Sequence, residues 1–165
     1  MPTNPAASRY PAYRMALHWA VVALIFVQWM TADAIPRTHN PLLPPSPTDL
    51  LLHAIHNYSG MTIGTLVGLR VLLRLWKPVA PAPDLPPWQS TVSSAIHWGI
   101  YASLLAQAAT GFITSYFFSQ LAPVHKFLWN VTLVLLAVHV AAALLHAVRG
   151  DGVVSRMLPG LPLIR

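Results

Sequence analysis

The sequence predicts an all-α membrane protein: a bundle of four transmembrane helices with both termini in the cytoplasm. Three observations carry that expectation. First, of 165 residues 55% are hydrophobic and 8% charged, with a mean hydropathy of +0.55. A water-facing domain usually carries about 25% charged residues, so this chain cannot cover itself with a hydrated surface. That excludes an ordinary cytosolic enzyme, a disordered chain and a nucleic-acid binder. Second, four apolar stretches reach the roughly 20 residues needed to cross a hydrocarbon layer about 30 Å thick. Third, eight of the ten Lys and Arg residues fall on one side of those stretches. Arg9 and Arg14 precede the first, Arg70, Arg74 and Lys77 close the second, and Arg149, Arg156 and Arg165 follow the fourth. Arg37 and Lys126 lie on the other side with Asp33 and Asp49. The excess of cations marks the cytoplasmic face, so the net charge of +6 reflects topology.

The elements follow in order, within one domain covering residues 1–165. The first span runs over about 12–31 and stops before Asp33. Arg14, the apolar run and Ala32-Asp33-Ala34 imitate a secretory leader. The run is nonetheless long enough to span, holds His18, and is needed for the alternation of charge, so it is expected to be retained. The second span covers about 49–75, with Ser46 as N-cap and Pro47 at the first helical position. The third covers about 92–118. The fourth covers about 123–148 and ends at Arg149-Gly150. The linkers Ile35–Pro47 and Pro78–Pro87 hold five prolines each and read as extended connections. Spans three and four are joined by a few residues near Ser119–Ala122, which forces an antiparallel hairpin. Trp19, Trp29, Trp76, Trp88 and Trp98 near span ends read as interface anchors.

Against so few charges, 8 histidines stand out. Ionisable groups at membrane depth are expensive, and their default reading is functional. His125 and His139 are 14 residues apart, close to four helical turns and about 21 Å of rise, so they share one face at two depths. His18 matches the depth of His139, and His56 that of His125. Two layers result, each with two histidines facing each other across a bundle, an arrangement that holds b-type haem. Gly60, Gly64 and Gly68 follow His56 at intervals of four and line its face. They allow close approach by a flat macrocycle or by a neighbouring helix. His53, one turn before His56, is the alternative on span two, and His39 lies in the outer loop. Trp129 lies one turn from His125. A haem-free metal or solute transporter is the rival class. Zinc would want three or four ligands at one depth, and an ion transporter a buried carboxylate. The chain has no cysteine, no glutamate and no aspartate well inside a span.

Ala16-Leu17-His18-Trp19, Ile55-His56, the His125/His139 pair and Arg70-Val71-Leu72-Leu73-Arg74-Leu75 resemble the bacterial cytochrome b561 family. His97 with Tyr101, and His146 seven residues after His139, fit the same pattern. The resemblance covers about Tyr10 to Pro159. It implies a multi-pass protein of the bacterial inner membrane carrying two haem b, with ligand pairs His18/His139 inside and His56/His125 outside. It also implies electron exchange with ubiquinone. Compact members are similar to superoxide oxidase, which passes electrons from periplasmic superoxide to ubiquinone. Related cytochrome b subunits anchor a hydrogenase or dehydrogenase and are the alternative. In that frame Arg70 and Arg74 would pair with inner haem propionates, and His97 and His146 would hydrogen-bond a propionate or a quinone carbonyl. Lys126 and Arg37 would attract superoxide or pair with outer propionates.

Overall fold

The computed structural model describes residues 9–78 and 86–158, and among these every regular element is helical. Most of the Pro78–Pro87 linker and Arg165 therefore lie outside the described residues. Helix α1 spans Ala12–Thr31, the same residues as the first apolar stretch. Pro11 precedes it in an extended conformation, and the side chain of Thr31 closes it by donating to Val27 O at 2.8 Å.

The next segment departs from an extended linker. Ala34–Thr38 forms a short helix, α2. Pro36 sits in its first turn, where a missing N–H costs nothing because first-turn amides have no intrahelical acceptor. Helix α3 spans Pro47–Trp76. Ser46 caps it by accepting from Asp49 N at 3.1 Å, and Pro47 occupies the first position, as the sequence indicates. Helix α4, Pro87–Tyr116, starts five residues before the apolar stretch. Its first turn, with Gln89, Ser90 and Thr91, is helical but polar, so hydropathy does not register it. A 3₁₀ turn at Ser119–Leu121 leads into α5, Ala122–Arg149. Gly150 ends α5 in the left-handed region, φ 66°, where its N–H bonds His146 O at 3.1 Å.

The helices pack in sequence: α1 on α3, α3 on α4, α4 on α5, with α2 laid against α3. Their shared core is small: Val21, Ile63, Val67, Ile100, Tyr101 and Leu104. Many large apolar side chains point outward, including Phe26, Trp29, Leu72, Val134 and Leu144. An outward apolar coat with a thin core fits a solvent of lipid tails. By length and hydropathy, α1 and the segment Ser119–Arg149 are each apolar enough to cross a membrane. Helices α3 and α4, at 30 residues each, are long enough but carry more polar residues.

One end of the bundle is fastened by a cation. Arg14 donates to Leu73 O at 2.9 Å and to Lys77 O at 2.5 Å, satisfying carbonyls at the end of α3. At that end Trp19 Nε1 also donates to Met157 O at 3.1 Å, tying the final segment to α1. Midway along α3, Gly64 lets α4 approach closely. A Cβ at Gly64 would stand 2.7 Å from Ala108 Cβ on α4. Ala108 Cβ is fixed to its backbone, so only separation of the helices would relieve the clash. Gly64→Ala is expected to destabilise the protein by about 1–3 kcal/mol, outweighing the ~0.5–1 kcal/mol gained in helix propensity. Unfolding in detergent should register the loss, and adding Ala108→Gly should recover most of it.

Candidate functional site

The histidines separate into clusters at opposite ends of the bundle. At the end fastened by Arg14, α1 supplies His18, α4 supplies His97 and α5 supplies His139. The rings of His18 and His139 lie 6.3 Å apart between centroids, and those of His97 and His139 lie 5.1 Å apart. All three are half-buried. His97 Nδ1 donates to Ser93 O at 2.6 Å, one turn back on its own helix. The rings of His18 and His139 make no hydrogen bond among the described residues. Their helices are not packed neighbours in the bundle, so these side chains bridge the space between α1 and α5.

Arg70 and Arg74, from the last two turns of α3, stand beside this cluster. The Arg70 guanidinium lies 5.8 Å from the Tyr101 ring, and that of Arg74 lies 5.5 Å from the Trp98 ring. Stacking of this kind holds a guanidinium by its face and leaves its N–H edge for an acceptor. Arg70 is within electrostatic range of both His18 and His139. His146 turns elsewhere: in the last turn of α5 its Nδ1 meets Asp151 Oδ2 at 2.5 Å.

The other cluster holds His56 on α3 and His125 on α5, within electrostatic range of one another. Each Nδ1 lies 3.1 Å from a threonine hydroxyl, Thr31 for His56 and Thr110 for His125. Each threonine is preceded by a glutamine on the same face. Gln28 Nε2 donates to His56 O at 2.7 Å and to Ser59 Oγ at 2.6 Å. In the amide orientation that satisfies both its ends, Gln107 donates to His125 O at 3.2 Å and accepts from Trp129 N at 2.6 Å. In that orientation its nitrogen also lies 2.9 Å from His125 Nδ1. Gly111 gives the His125 ring its room, since a Cβ there would stand 3.0 Å from His125 Cε1. One turn beyond Thr110, Thr114 Oγ1 is buried with no hydrogen-bond partner among the described residues.

The remaining predicted residues lie outside this pair. His53 binds Thr38 at 2.6 Å and stacks with His39, centroids 5.1 Å apart, beside α2. Arg37 is ion-paired with Asp49 at 2.7 Å. Lys126, next to His125, is exposed and has no ion-pair partner among the described residues. The glycine stripe divides by role: Gly60 faces Gln28, Gly64 meets Ala108, and Gly68 has nothing within 4 Å. Sequence reasoning missed Gln28, Thr31, Gln107 and Thr110. The available signal was a polar pair at i, i+3 inside an apolar stretch, written Gln-x-x-Thr twice.

The chain is 25% identical over 178 residues to a probable superoxide oxidase of Yersinia pestis, covering 92% of this chain and 96% of that one. A sequence profile described as prokaryotic cytochrome b561 matches residues 9–160. The chain therefore belongs to the prokaryotic cytochrome b561 family, a family of membrane proteins that carry b-type haem.

Proposed function

We propose that the chain is a di-haem cytochrome of the bacterial inner membrane that takes electrons from superoxide on the outer side and delivers them to ubiquinone. In this reading α1, α3, α4 and α5 are four spans of a single domain, and both termini are cytoplasmic. One observation carries it: α5 holds His125 and His139 at two levels, and another helix brings a histidine to each level. The 14-residue separation corresponds to about 21 Å along the helix axis.

The residues present fit haem. The donor set is imidazole at both levels, and a histidine ligand needs one ring nitrogen bare. At the outer level, hydroxyls occupy Nδ1 of His56 and His125 and leave Nε2. At the inner level, the rings of His18 and His139 lack a hydrogen-bond partner among the described residues. The unpartnered Thr114 hydroxyl at the outer level fits a further group there. His18 and His139 would hold the inner haem, His56 and His125 the outer. When bound, haem iron supplies one-electron chemistry that no side chain here offers. The stacked Arg70 and Arg74 would present N–H edges to propionate carboxylates, and His97 would serve a propionate or a quinone carbonyl. His146, whose Nδ1 meets Asp151 Oδ2, would serve the same role through Nε2.

The likeness to a probable superoxide oxidase supports the donor. Each superoxide loses one electron and becomes dioxygen. Ubiquinone gains two electrons and two protons, so two superoxide anions are consumed per ubiquinol. The chain's own contribution at the outer mouth is charge. Asp49 compensates Arg37, which leaves Lys126 beside His125 as the attracting cation.

A pyridine haemochrome assay on the purified protein should approach two haems per chain. His18→Ala and His139→Ala should share one spectral change, and His56→Ala and His125→Ala another. A single haem in fully loaded protein, or loss of haem from His97→Ala in place of His18→Ala, contradicts the assignment.

A superoxide pulse in a stopped-flow instrument should reduce the haems quickly, and ubiquinol should form when ubiquinone is supplied. Superoxide dismutase should abolish both. Raising ionic strength should slow the reduction. Lys126→Glu should slow it severalfold with haem content unchanged, and Arg37→Gln should slow it less. Haems that stay oxidised, or indifference to dismutase, would exclude superoxide and leave the anchor-cytochrome role.

A further inference from the structure

We propose that Gln28 with Thr31, and Gln107 with Thr110, are positioning residues: a duplicated clamp that fixes the tautomer and ring orientation of His56 and His125. This rests on the reading of those two histidines as iron ligands. The two halves of the clamp are built alike. Gln28-Trp29-Met30-Thr31 lies on α1, which packs against the helix of His56. Gln107-Ala108-Ala109-Thr110 lies on α4, which packs against the helix of His125. Spacing of three puts both polar side chains of each motif on one helix face.

The threonine biases the tautomer. Thr31 Oγ1 donates its one proton to Val27 O at 2.8 Å, and Thr110 Oγ1 donates to Ala106 O at 2.7 Å. Each oxygen also has a weaker contact one residue on, at 3.3 Å to Gln28 O and 3.2 Å to Gln107 O. With that proton committed, the oxygen 3.1 Å from each Nδ1 can only accept. An Nδ1 that donates to it carries the hydrogen, as it does toward the main chain of Gln28 and Gln107, which also lies within hydrogen-bond reach of the two rings, and a neutral imidazole with Nδ1–H has a bare Nε2. Nδ1–H donation to an acceptor also raises the basicity of Nε2, which favours the more highly charged oxidation state of a bound metal.

The glutamine holds the main chain beneath the ring. Gln28 pins the His56 carbonyl and Ser59 together, and Ser59 in turn donates to Ile55 O at 2.6 Å. Gln107 bridges His125 O and Trp129 N. The Gln107 nitrogen beside His125 Nδ1 makes this second copy the stricter case. Donation to Nδ1 would put the ring proton on Nε2. Donation to His125 O alone leaves Nδ1–H for Thr110. The inner rings have no such clamp: His97 uses a backbone carbonyl on its own helix, and His18 and His139 use none among the described residues.

The test uses the intact holoprotein and reads haem content, the two midpoint potentials and low-temperature EPR of the oxidised form. Thr31→Val and Thr110→Val remove the hydroxyl acceptor and keep the shape. Each should retain both haems and raise one midpoint potential, leaving the other in place. The shift should be on the order of tenfold in the oxidised-to-reduced equilibrium, the low end of the effect of removing a ligand's hydrogen-bond partner. For one electron that is about 59 mV. Thr31→Ser and Thr110→Ser should return it to the wild-type value, and Gln107→Ala should leave the potential set by Thr110→Val unmoved. If a valine variant fails to fold, the serine variant at that position must match wild type and the other valine variant must still shift. Valine variants with unchanged potentials and EPR, alongside loss of haem in His56→Ala, would overturn the clamp. A shift from Gln107→Ala but not from Thr110→Val would overturn its second copy. Retention of both haems in His56→Ala would overturn the ligand assignment itself, a different failure.

Discussion

The interior of this bundle depends on one constraint: a hydrocarbon surround offers no hydrogen bonds, so each polar group at depth needs a partner within the protein. The side chains obey it locally. The hydroxyls of Thr31, Ser59, Thr62, Thr65, Thr110 and Thr132 all donate to the carbonyl four residues back. Thr132 is fully buried on those terms. Arg14 obeys it at longer range, by taking up carbonyls at the end of α3. Against that background the unpartnered groups carry information. Among the described residues they include Thr114 Oγ1 and the rings of His18 and His139, at the levels where the proposed haems would bind.

The same constraint explains what could be read from sequence. The all-helical class followed from apolar stretches too long and too uncharged for water. The histidines were legible because an ionisable ring in such a stretch has no ordinary role there, and because 14 residues close almost four turns. Glutamine and threonine carry no charge and interrupt hydropathy only mildly, so the two Gln-x-x-Thr motifs passed as ordinary helix. The approach of His97 to His139 was hidden as well. Depth can be estimated from sequence, but the face that α4 turns toward α5 is set by contacts such as Gly64 against Ala108. Helix α2 was missed because proline density signals a break, although a first-turn proline is compatible with a short helix.

The two ends differ in how charge is managed. Near His18 and His139 the cations are held by ring faces and carbonyls, with no carboxylate paired to them among the described residues. Near His56 and His125 one of the two cations is already matched by Asp49. The end with His18 and His139 thus keeps guanidinium donors around its histidines, Arg74 reaching Ser94 Oγ at 3.5 Å, and the other end keeps, among the described residues, an ammonium beside His125 without an ion-pair partner. An anion approaching the end with His56 and His125 meets a local charge, whereas an anionic group at the end with His18 and His139 meets an array of guanidinium donors.

Because His125 and His139 belong to one uninterrupted helix, α5 acts as the ruler between the two levels. The connections elsewhere have no such duty. Residues between α2 and α3, or between α3 and α4, can change in number while the histidines keep their places. Between Lys126 and Val138 the length is frozen. One inserted residue would turn the histidines about 100° out of line around the helix, and no adjustment of a loop could bring both back to their partners. Length variation in proteins built on this plan is therefore expected in the connections, and the rod that separates the two levels is expected to admit substitution but not insertion.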